Sequence, residues 1–250
     1  MARLGNMNGY GQFCPLALAS EIIAERWTPL VLRELIGGAR RFNEIHRGVP
    51  RMSPSLLSRR LRTLVRAGII ERRRSHGHGE YVLTDAGAAL APTIQSLAVW
   101  SKRWLPATLS SDRADPNLIM WDMHRRMNVE RMPDVPTVIE FEFTDQPESR
   151  RLRWIVRDEE GVQICIVNPG YEVDLSVVTD SRVIALVWYG DMNLEEAIRQ
   201  GGIRLNGPRR LCRAFPSWLQ LNMLADVSPE WPVREDGDAD HRSEDALENS

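Results

Sequence analysis

Apolar residues recur at helical spacing through the N-terminal part of the chain and switch to a spacing of two after Pro136. The helical part contains short segments that begin at Pro15, Thr28, Phe42 and Ser53. Pro15 opens its helix as a first-position proline, and Thr28 and Ser53 are predicted N-caps. The alternating part predicts short strands. The change of period therefore predicts a helical N-terminal domain followed by a domain that contains a sheet.

The segment from Ser53 to Ala67 predicts the most informative helix. Leu57, Leu61 and Leu64 share one arc of this helix, so we expect them to face the core. The opposite side carries polar and basic residues with no acid beside them: Ser55, Arg59, Arg62 and Arg66. Such a stripe suits the major groove of DNA, although exposed arginine rows also occur as plain solvated faces.

A basic hairpin is predicted directly after this helix. One strand starts at Ile69 and continues through Arg72, Arg73 and Arg74, and Glu80–Leu83 returns after a turn. Helix, turn, helix and basic hairpin in this order predict a winged helix-turn-helix, whose wing lies along phosphate or a minor groove. His76 and His78 flank the turn without a third ligand nearby in sequence, so a polar wing tip is expected rather than a metal site.

A helical seam of apolar residues follows Thr84 and extends beyond a compact winged helix. Its members are Leu90, Ile94, Leu97 and Trp104. Pro92 either kinks this helix or begins a new one. Two partners for the seam remain open: a second copy of the chain, which is simpler, or the C-terminal domain.

Charge divides the chain near the same boundary. The 250 residues have a formal net charge of -2. Residues 1–110 carry 16 basic and 7 acidic residues, whereas residues 111–250 carry 16 and 27, which gives +9 and -11. The N-terminal part is therefore predicted to bind a polyanion. The acidic tail is predicted to be disordered; it either solubilises the protein or mimics phosphate.

Several classes of protein are disfavoured by the sequence. Cys14, Cys165 and Cys212 have no CxxC spacing, so neither a disulfide framework nor a zinc cluster is encoded. No apolar run approaches the roughly twenty residues of a membrane span, and no GxSxG, P-loop, HExxH or dinucleotide motif occurs. We expect a cytoplasmic protein without membrane association, cofactor, bound metal or enzymatic activity.

The second half predicts an α+β domain. Three antiparallel strands are centred on Phe141, Trp154 and Ile164, and Tyr171–Val178 predicts a fourth. Further elements are predicted as helices at Arg182–Tyr189, Leu194–Arg199 and Pro208–Leu224, with a short strand at Ile203–Leu205. An antiparallel sheet with helices gathered on one face is an α+β arrangement.

Ordered sequence blocks run from Cys14 to Trp104. They are Cys14-Pro15, Arg26-Trp27-Thr28, Val31-Leu32-Arg33-Glu34-Leu35, Arg40-Arg41-Phe42-Asn43-Glu44-Ile45, Ser53-Pro54, Leu57-Ser58-Arg59-Arg60-Leu61, Ala67-Gly68, Tyr81-Val82-Leu83-Thr84 and Gly87. At this spacing the chain resembles the HxlR-type winged helix-turn-helix transcriptional regulators. The resemblance implies a homodimer with its reading helix at Ser53–Ala67 and its wing around Arg72–Tyr81. The expected DNA-binding residues are Ser53, Ser55, Ser58, Arg59, Arg62, Arg66, Arg40, Arg41, Arg72, Arg73 and Arg74.

In some members of that family a cysteine matching Cys14 senses oxidants or electrophiles. A thiol acts in this way only if it is exposed and held as thiolate by nearby positive charge. A packed, inert thiol is the alternative, and it is the interpretation that the sequence favours.

The stretch from Val138 to Ala225 resembles a sterol-carrier-protein-2-like domain. The blocks that carry this resemblance are Asp174-Leu175, Trp188-Tyr189-Gly190-Asp191, Ala197-Ile198, Gly201-Gly202-Ile203-Arg204-Leu205 and Asn206-Gly207. That family encloses an apolar tunnel for a lipid, which implies a candidate effector pocket lined by Trp154, Ile166, Trp188, Leu211, Phe215, Trp218 and Leu219. A packed aromatic core without a ligand is the alternative.

The predicted organisation has four parts: a DNA-binding and dimerisation domain at 1–110, a linker with a short helix at 111–136, an α+β domain at 137–226 and an acidic tail at 227–250. We expect a transcriptional regulator that binds a roughly palindromic site on double-stranded DNA as a homodimer, with a small hydrophobic effector as a candidate ligand. The alternative is a lipid carrier whose winged helix mediates protein contacts.

Overall fold

The computed structural model describes residues 9–75, 78–105, 114–134 and 136–230. Residues 76–77 of the predicted wing turn, residues 111–113 and 135 of the predicted linker, and the predicted tail from 231 onward lie outside them. The N-terminal elements are α1 (Pro15–Ile23), α2 (Thr28–Ile36), α3 (Phe42–Gly48), α4 (Pro54–Arg66), β1 (Ile70–Ser75), β2 (His78–Leu83), α5 (Asp85–Ala88) and α6 (Ala91–Trp104). This order is the predicted helix-turn-helix followed by a hairpin.

Capping residues explain where these helices begin. Ser53 caps α4, because its hydroxyl oxygen accepts a hydrogen bond from the Leu56 backbone nitrogen at 3.3 Å. The predicted cap at Thr28 is wrong: Thr28 is already helical, and Trp27 occupies the cap position with a φ of 77°. Pro92 lies in the first turn of a new helix, α6, rather than in a kink of α5.

The N-terminal core is formed where α2, α3 and α4 meet. Leu57, Leu61 and Leu64 are fully buried, as their spacing on α4 predicted. They pack with Val31 and Leu32 of α2 in one cluster. This cluster fixes α4 against the rest of the domain, and the opposite side of α4 remains in solvent.

The C-terminal elements surround a five-stranded sheet. They are α7 (Pro116–His124), a 3-10 turn (Val129–Arg131), β3 (Thr137–Phe143), α8 (Glu148–Arg151), β4 (Leu152–Asp158), β5 (Gly161–Cys165), β6 (Leu175–Thr179), α9 (Ser181–Trp188), α10 (Leu194–Arg199), β7 (Ile203–Asn206) and α11 (Arg209–Trp218). The strand order is β5-β4-β3-β6-β7. The α+β class is therefore as predicted.

The prediction of a wholly antiparallel sheet is wrong. β6 pairs parallel with β3, with Leu175 opposite Ile139, whereas the other pairs are antiparallel. The connection from β5 must cross the positions of β4 and β3 to reach β6, and the turn at Asn168 and Gly170 occupies part of it. The predicted strand at Tyr171–Val178 consequently begins only at Leu175.

One face of this sheet carries the larger core. Ile139, Phe141 and Phe143 alternate with the half-buried Glu140 and Glu142 along β3 and pack among the apolar residues of the helices. Within that core the rings of Phe215 and Trp218 meet edge to face, with centroids 5.9 Å apart. A smaller cluster lies apart from this core and contains Val138, Trp154 and Val156.

Helix α7 belongs to the C-terminal core and also contacts the N-terminal domain. Ile119, Met120 and Met123 are buried in the larger core. Trp121, between them in sequence, contacts residues of α2 and α3 instead. In the part of the chain that the structure describes, no helix combines the length and apolarity needed to cross a membrane.

Candidate nucleic-acid interface

The solvent-facing side of α4 presents the predicted reading residues together. Ser55, Arg59, Arg62 and Arg66 are exposed, as is the capping Ser53, while Ser58 is half-buried. Within the described residues none of these arginines forms an ion pair. Three uncompensated guanidinium groups on one helix face suit phosphate oxygens and guanine edges.

Arg60 of the same helix has a different role. It is only 8% exposed, and its Nη2 donates to Glu25 Oε2 at 2.8 Å and to the Arg26 carbonyl at 3.4 Å. This pair ties the inner side of α4 to the segment between α1 and α2. Arg60 therefore anchors the inner side of α4, whereas Arg59, Arg62 and Arg66 lie on its outer side.

The hairpin supplies a second basic surface. Arg72, Arg73 and Arg74 are exposed along β1. Arg73 forms an ion pair with Glu71 of the same strand, so its charge is partly compensated. The Tyr81 backbone nitrogen donates to the Arg40 carbonyl at 2.8 Å, which joins the wing to the segment before α3.

Arg40 and Arg41 lie where α3 begins. The Glu44 carboxylate accepts hydrogen bonds from the backbone nitrogens of Arg40 at 2.8 Å and of Arg41 at 3.0 Å. The carboxylate thereby satisfies donors that the helix start leaves free. Arg41 is exposed and Arg40 is half-buried, so Arg41 offers the more accessible cation.

A buried carboxylate joins this domain to α7. Glu34 is 1% exposed, and its Oε1 accepts from Arg33 Nε at 2.9 Å and Nη2 at 2.7 Å. Its Oε2 accepts from Trp121 Nε1 at 2.8 Å and lies 3.2 Å from Arg125 Nη1. We call these four residues the Glu34 clamp. One oxygen is held by α2 and the other by α7, which compensates the buried charge from both domains.

The Glu34 clamp also borders the turn before α4. Arg33 Nη2 donates to the Gly48 carbonyl at 3.0 Å. A Cβ at Gly48 would lie 2.0 Å from the Glu34 carboxyl carbon, so only glycine fits at this position. Arg47 of α3 lies over the Trp121 ring, with its guanidinium carbon 5.5 Å from the centroid. Contacts of α7 therefore reach the C-terminal end of α3.

His124 lies beside Trp121 in this interface, with ring centroids 4.7 Å apart. Burial lowers the pKa of His124 from 6.5 to about 4, and the positive charges of Arg125 and Arg47 add to this effect. Its Nδ1 is buried without a hydrogen-bond partner in the described residues. The imidazole is therefore neutral at pH 7, chiefly because it is buried.

A second contact joins the two domains through Lys102, the one lysine of the chain. Its Nζ donates to the Tyr189 carbonyl and lies 3.2 Å from Asp191 Oδ1. Farther along, the Glu230 backbone nitrogen donates to the Arg103 carbonyl at 2.9 Å. The end of α6 thus contacts the C-terminal domain through Lys102 and Arg103, whereas Leu97 and Trp104 of the predicted seam remain 50% and 41% exposed in the single chain.

Neither interdomain contact was predicted from the sequence. The available signals were a glutamate on the buried side of α2 and a single lysine in an arginine-rich domain. Neither signal names a partner, because Trp121 and Asp191 are far away in sequence. Arg47 and Arg51, both exposed near the helix-turn-helix turn, were also not singled out.

The candidate effector-pocket residues fall into three environments. The larger core contains five of them: Trp188, Leu211, Phe215, Trp218 and Leu219. Trp154 belongs to the smaller cluster, where its Nε1 donates to Glu140 Oε2 at 3.1 Å. Ile166 is 66% exposed. The seven residues therefore do not line one space.

Two further expectations concern thiols and metals. Cys14 occupies the N-cap position of α1 without a side-chain hydrogen bond, and its thiol is exposed rather than packed in the single chain. Among the described residues no group of three or more histidine, cysteine, aspartate or glutamate side chains has an arrangement that could hold a metal ion.

Residues 22–109 match the family described as HxlR-like helix-turn-helix. The uncharacterized HTH-type transcriptional regulator YvaP of Bacillus subtilis (strain 168) is 35% identical over 98 residues, which cover 38% of this chain and 91% of YvaP. The HTH-type transcriptional regulator YodB of the same organism is 30% identical over 95 residues, which cover 36% of this chain and 85% of YodB.

A solved structure of the reduced form of YodB is also similar to this chain. The match has a TM-score of 0.33 and 29% sequence identity, and it covers 36% of this chain and 93% of the other. The family match covers residues 22–109, and this chain covers 91% of YvaP at 35% identity. The chain therefore belongs to the HxlR-like helix-turn-helix family.

Proposed function

We propose that this protein is a transcriptional regulator that binds a roughly palindromic site on double-stranded DNA through its winged helix. The observation that carries the proposal is the outer face of α4, where Arg59, Arg62 and Arg66 are exposed without an acidic partner among the described residues. Family membership and the regulator names of the relatives support it.

The basic residues divide into two roles in this proposal. Ser55, Arg59 and Arg62 face base edges in the major groove, where an arginine fork reads guanine. The remaining predicted contacts hold phosphates and set the register without reading sequence: Ser53, Ser58, Arg66, Arg40, Arg41, Arg72, Arg73 and Arg74. Arg73, already paired with Glu71, contributes least of the wing arginines.

We propose a homodimer as the DNA-binding form. Neither α1 nor α6 contains a fully buried residue in the single chain. Leu97, Trp100 and Trp104 of α6 are 50%, 54% and 41% exposed, and Leu16 of α1 is 73% exposed. Apolar surface of this extent favours a partner, and a second copy presents the same stripe.

The test of this proposal is a footprint on the DNA upstream of the protein's own gene. A homodimer predicts two protected half-sites about ten base pairs apart, or a multiple of that spacing. Arg59→Ala should lose the footprint at concentrations where wild type protects fully. Protection without two-fold symmetry would contradict the homodimer, and no protection at any concentration would contradict the regulator.

A second candidate function is binding of a hydrophobic ligand by the C-terminal domain, which resembles sterol-carrier-protein-2. The observation that favours it is Trp218, whose buried Nε1 has no hydrogen-bond partner in the described residues. A ligand oxygen could accept this bond. Solvent extraction of purified protein followed by mass spectrometry should then give lipid at near-stoichiometric yield, whereas an empty extract would contradict this function.

Oxidant sensing by Cys14 is a further proposal that the exposed thiol permits. Mild peroxide should lower the DNA affinity of wild type, and a thiol reductant should restore it. Cys14→Ser should not respond. If the DNA affinity of Cys14→Ser fell after peroxide as it does in wild type, Cys14 would not be the sensor.

A further inference from the structure

A cleft lies at the junction of the two domains, beside the Glu34 clamp. It has a volume of about 180 Å³ and is lined by side chains from four places: Trp27 before α2, Leu30 and Arg33 on α2, Arg51 after α3, and Asp115 and Leu118 at the start of α7. We call this space the junction cleft. Both domains contribute walls to it, which is a common location for ligand sites.

Size and lining indicate what this cleft accepts. A cavity of about 150 Å³ accommodates a benzene ring, so the junction cleft fits one ring and not a lipid chain. Trp27, Leu30 and Leu118 supply apolar surface for such a ring. Arg51 is exposed and forms no ion pair with the described residues, which leaves one guanidinium free to bind an anion.

The charges at the rim favour an anion over a cation. Arg33 is half exposed, but Glu34 Oε1 already compensates its charge. The Asp115 carboxylate caps α7 by accepting from the Asn117 backbone nitrogen at 2.9 Å. Asp115 keeps its negative charge at the positive end of the α7 dipole, and Arg51 is the cation at the rim without an ion pair among the described residues, so Arg51 is the group left to recognise an anionic ligand.

The backbone at Trp27 supports a role for this space. Trp27 has a φ of 77° and is the one non-glycine residue with a positive φ in the described ranges. Such a conformation persists only where the surroundings hold it, and it occurs frequently at ligand sites. Here it places a large aromatic residue at the cleft rather than in a regular helix.

We propose that the junction cleft binds a monocyclic aromatic carboxylate, with the ring against Trp27, Leu30 and Leu118 and the carboxylate on Arg51. Binding of the ligand in the junction cleft does not depend on the proposed function; only the expected effect of the ligand on DNA binding rests on it. Val49–Arg51 forms the turn before the Ser53 cap, and the Met52 nitrogen donates to the Val49 carbonyl at 2.9 Å within it. A carboxylate on Arg51 competes with phosphate near the reading helix, so the ligand weakens DNA binding, and DNA weakens ligand binding by the same factor.

Benzoate is the probe, at constant ionic strength, with full-length protein labelled on tryptophan nitrogen. The Trp27 indole N–H resonance, assigned with Trp27→Phe, should shift and saturate with a Kd on the order of 1 mM. Benzamide has the ring without the negative charge, so it tests whether the charge is needed. Inorganic phosphate has negative charge without the ring, and benzylamine has the ring with a positive charge. Benzoate should bind at least about fivefold more tightly than each of them.

Arg51→Gln should weaken benzoate binding at least about fivefold and leave benzamide unchanged. Arg204→Gln, another exposed arginine, is the matched control and should bind benzoate as wild type does. No saturation by benzoate, equal binding to Arg51→Gln, or tighter binding of phosphate or benzylamine would each overturn the site. Because this titration contains no DNA, its result is independent of whether the regulator proposal holds.

Discussion

Glu34 on α2 and Trp121 on α7 are joined by a hydrogen bond of 2.8 Å between a buried carboxylate and an indole nitrogen. Glu34 belongs to the segment that matches the family, whereas Trp121 lies beyond it. The added domain thus supplies a partner for a charge buried in the DNA-binding domain. An uncompensated buried carboxylate is costly, so this contact couples the stability of the two domains.

Trp121→Phe should destabilise the protein by about 2 kcal/mol, because it removes a hydrogen bond to a charged group and retains the ring. The pair Trp121→Phe and Glu34→Gln should show a coupling energy of about 1–3 kcal/mol in a double-mutant cycle measured by urea unfolding. Additive effects would contradict the clamp. Trp154→Phe is the matched control. It also removes a hydrogen bond from an indole nitrogen to a glutamate, at 3.1 Å, but both Trp154 and Glu140 belong to the C-terminal domain.

Lys102 gives the same experiment an independent readout. It is the one lysine in the chain, its side chain is 10% exposed, and it pairs with Asp191 of the C-terminal domain. Its reaction with an amine-directed reagent should be slow in wild type and faster in Trp121→Phe, because loosening α7 frees the end of α6. The control Trp154→Phe should react at the wild-type rate.

The arginines of α4 should separate by function. Arg59→Ala or Arg62→Ala should lower affinity for the specific site by about 1–3 kcal/mol and relax specificity, because a base contact is lost. Arg66→Ala should weaken all sequences and reduce the salt slope by about one. Anisotropy titrations at several salt concentrations measure both quantities.

Arg60→Ala is the internal comparison for these variants. It should lower stability through loss of the Glu25 pair rather than alter sequence preference. If Arg60→Ala changed specificity while Arg59→Ala and Arg62→Ala did not, the assignment of the two faces of α4 would be wrong.

Stability should fall with acidification through His124. Its pKa is about 4 in the folded protein and 6.5 ordinarily, so the unfolded chain binds more protons between these values. The low pKa costs no stability above pH 6.5, lowers the free energy of unfolding progressively as the pH falls from 6.5 to about 4, and reaches a total loss of about 3 kcal/mol below that. His124→Asn should flatten this part of the pH profile of urea unfolding. Parallel profiles for wild type and variant would contradict the assignment.

Trp100→Glu and Trp104→Glu should produce a monomer with weaker DNA binding, because a charge on the α6 stripe cannot be buried between two copies. Sedimentation equilibrium measures the assembly state. Tyr171→Glu is the matched control, since Tyr171 is 61% exposed in the C-terminal domain. A monomeric wild type, or dimeric Trp100→Glu and Trp104→Glu, would contradict the proposed interface.

The sequence was sufficient where local rules decide the structure. The positions of α2 to α4, the buried leucines Leu57, Leu61 and Leu64, and the hairpin follow from periodicity and capping. The exposed stripe of α4 follows from the same spacing. These features depend on residues that are close together along the chain.

Long-range contacts account for what the sequence did not reveal. The parallel pairing of β6 with β3 depends on where a connection crosses the sheet. The Glu34 clamp needs Trp121, which is 87 residues away in sequence. Trp154 and Ile166 alternate as strand residues should, but nothing local shows that their neighbours differ from those of Trp218.

The central claim is sequence-specific DNA binding, and fluorescence anisotropy tests it most directly. Full-length protein is titrated against a duplex from its own upstream intergenic region and against a scrambled duplex of equal length, at several salt concentrations. We predict a preference for the native duplex of ~1,000-fold or more, which is typical of specific regulators. Equal affinity for both duplexes that falls steeply with salt would reduce the N-terminal domain to a general polycation and contradict the claim.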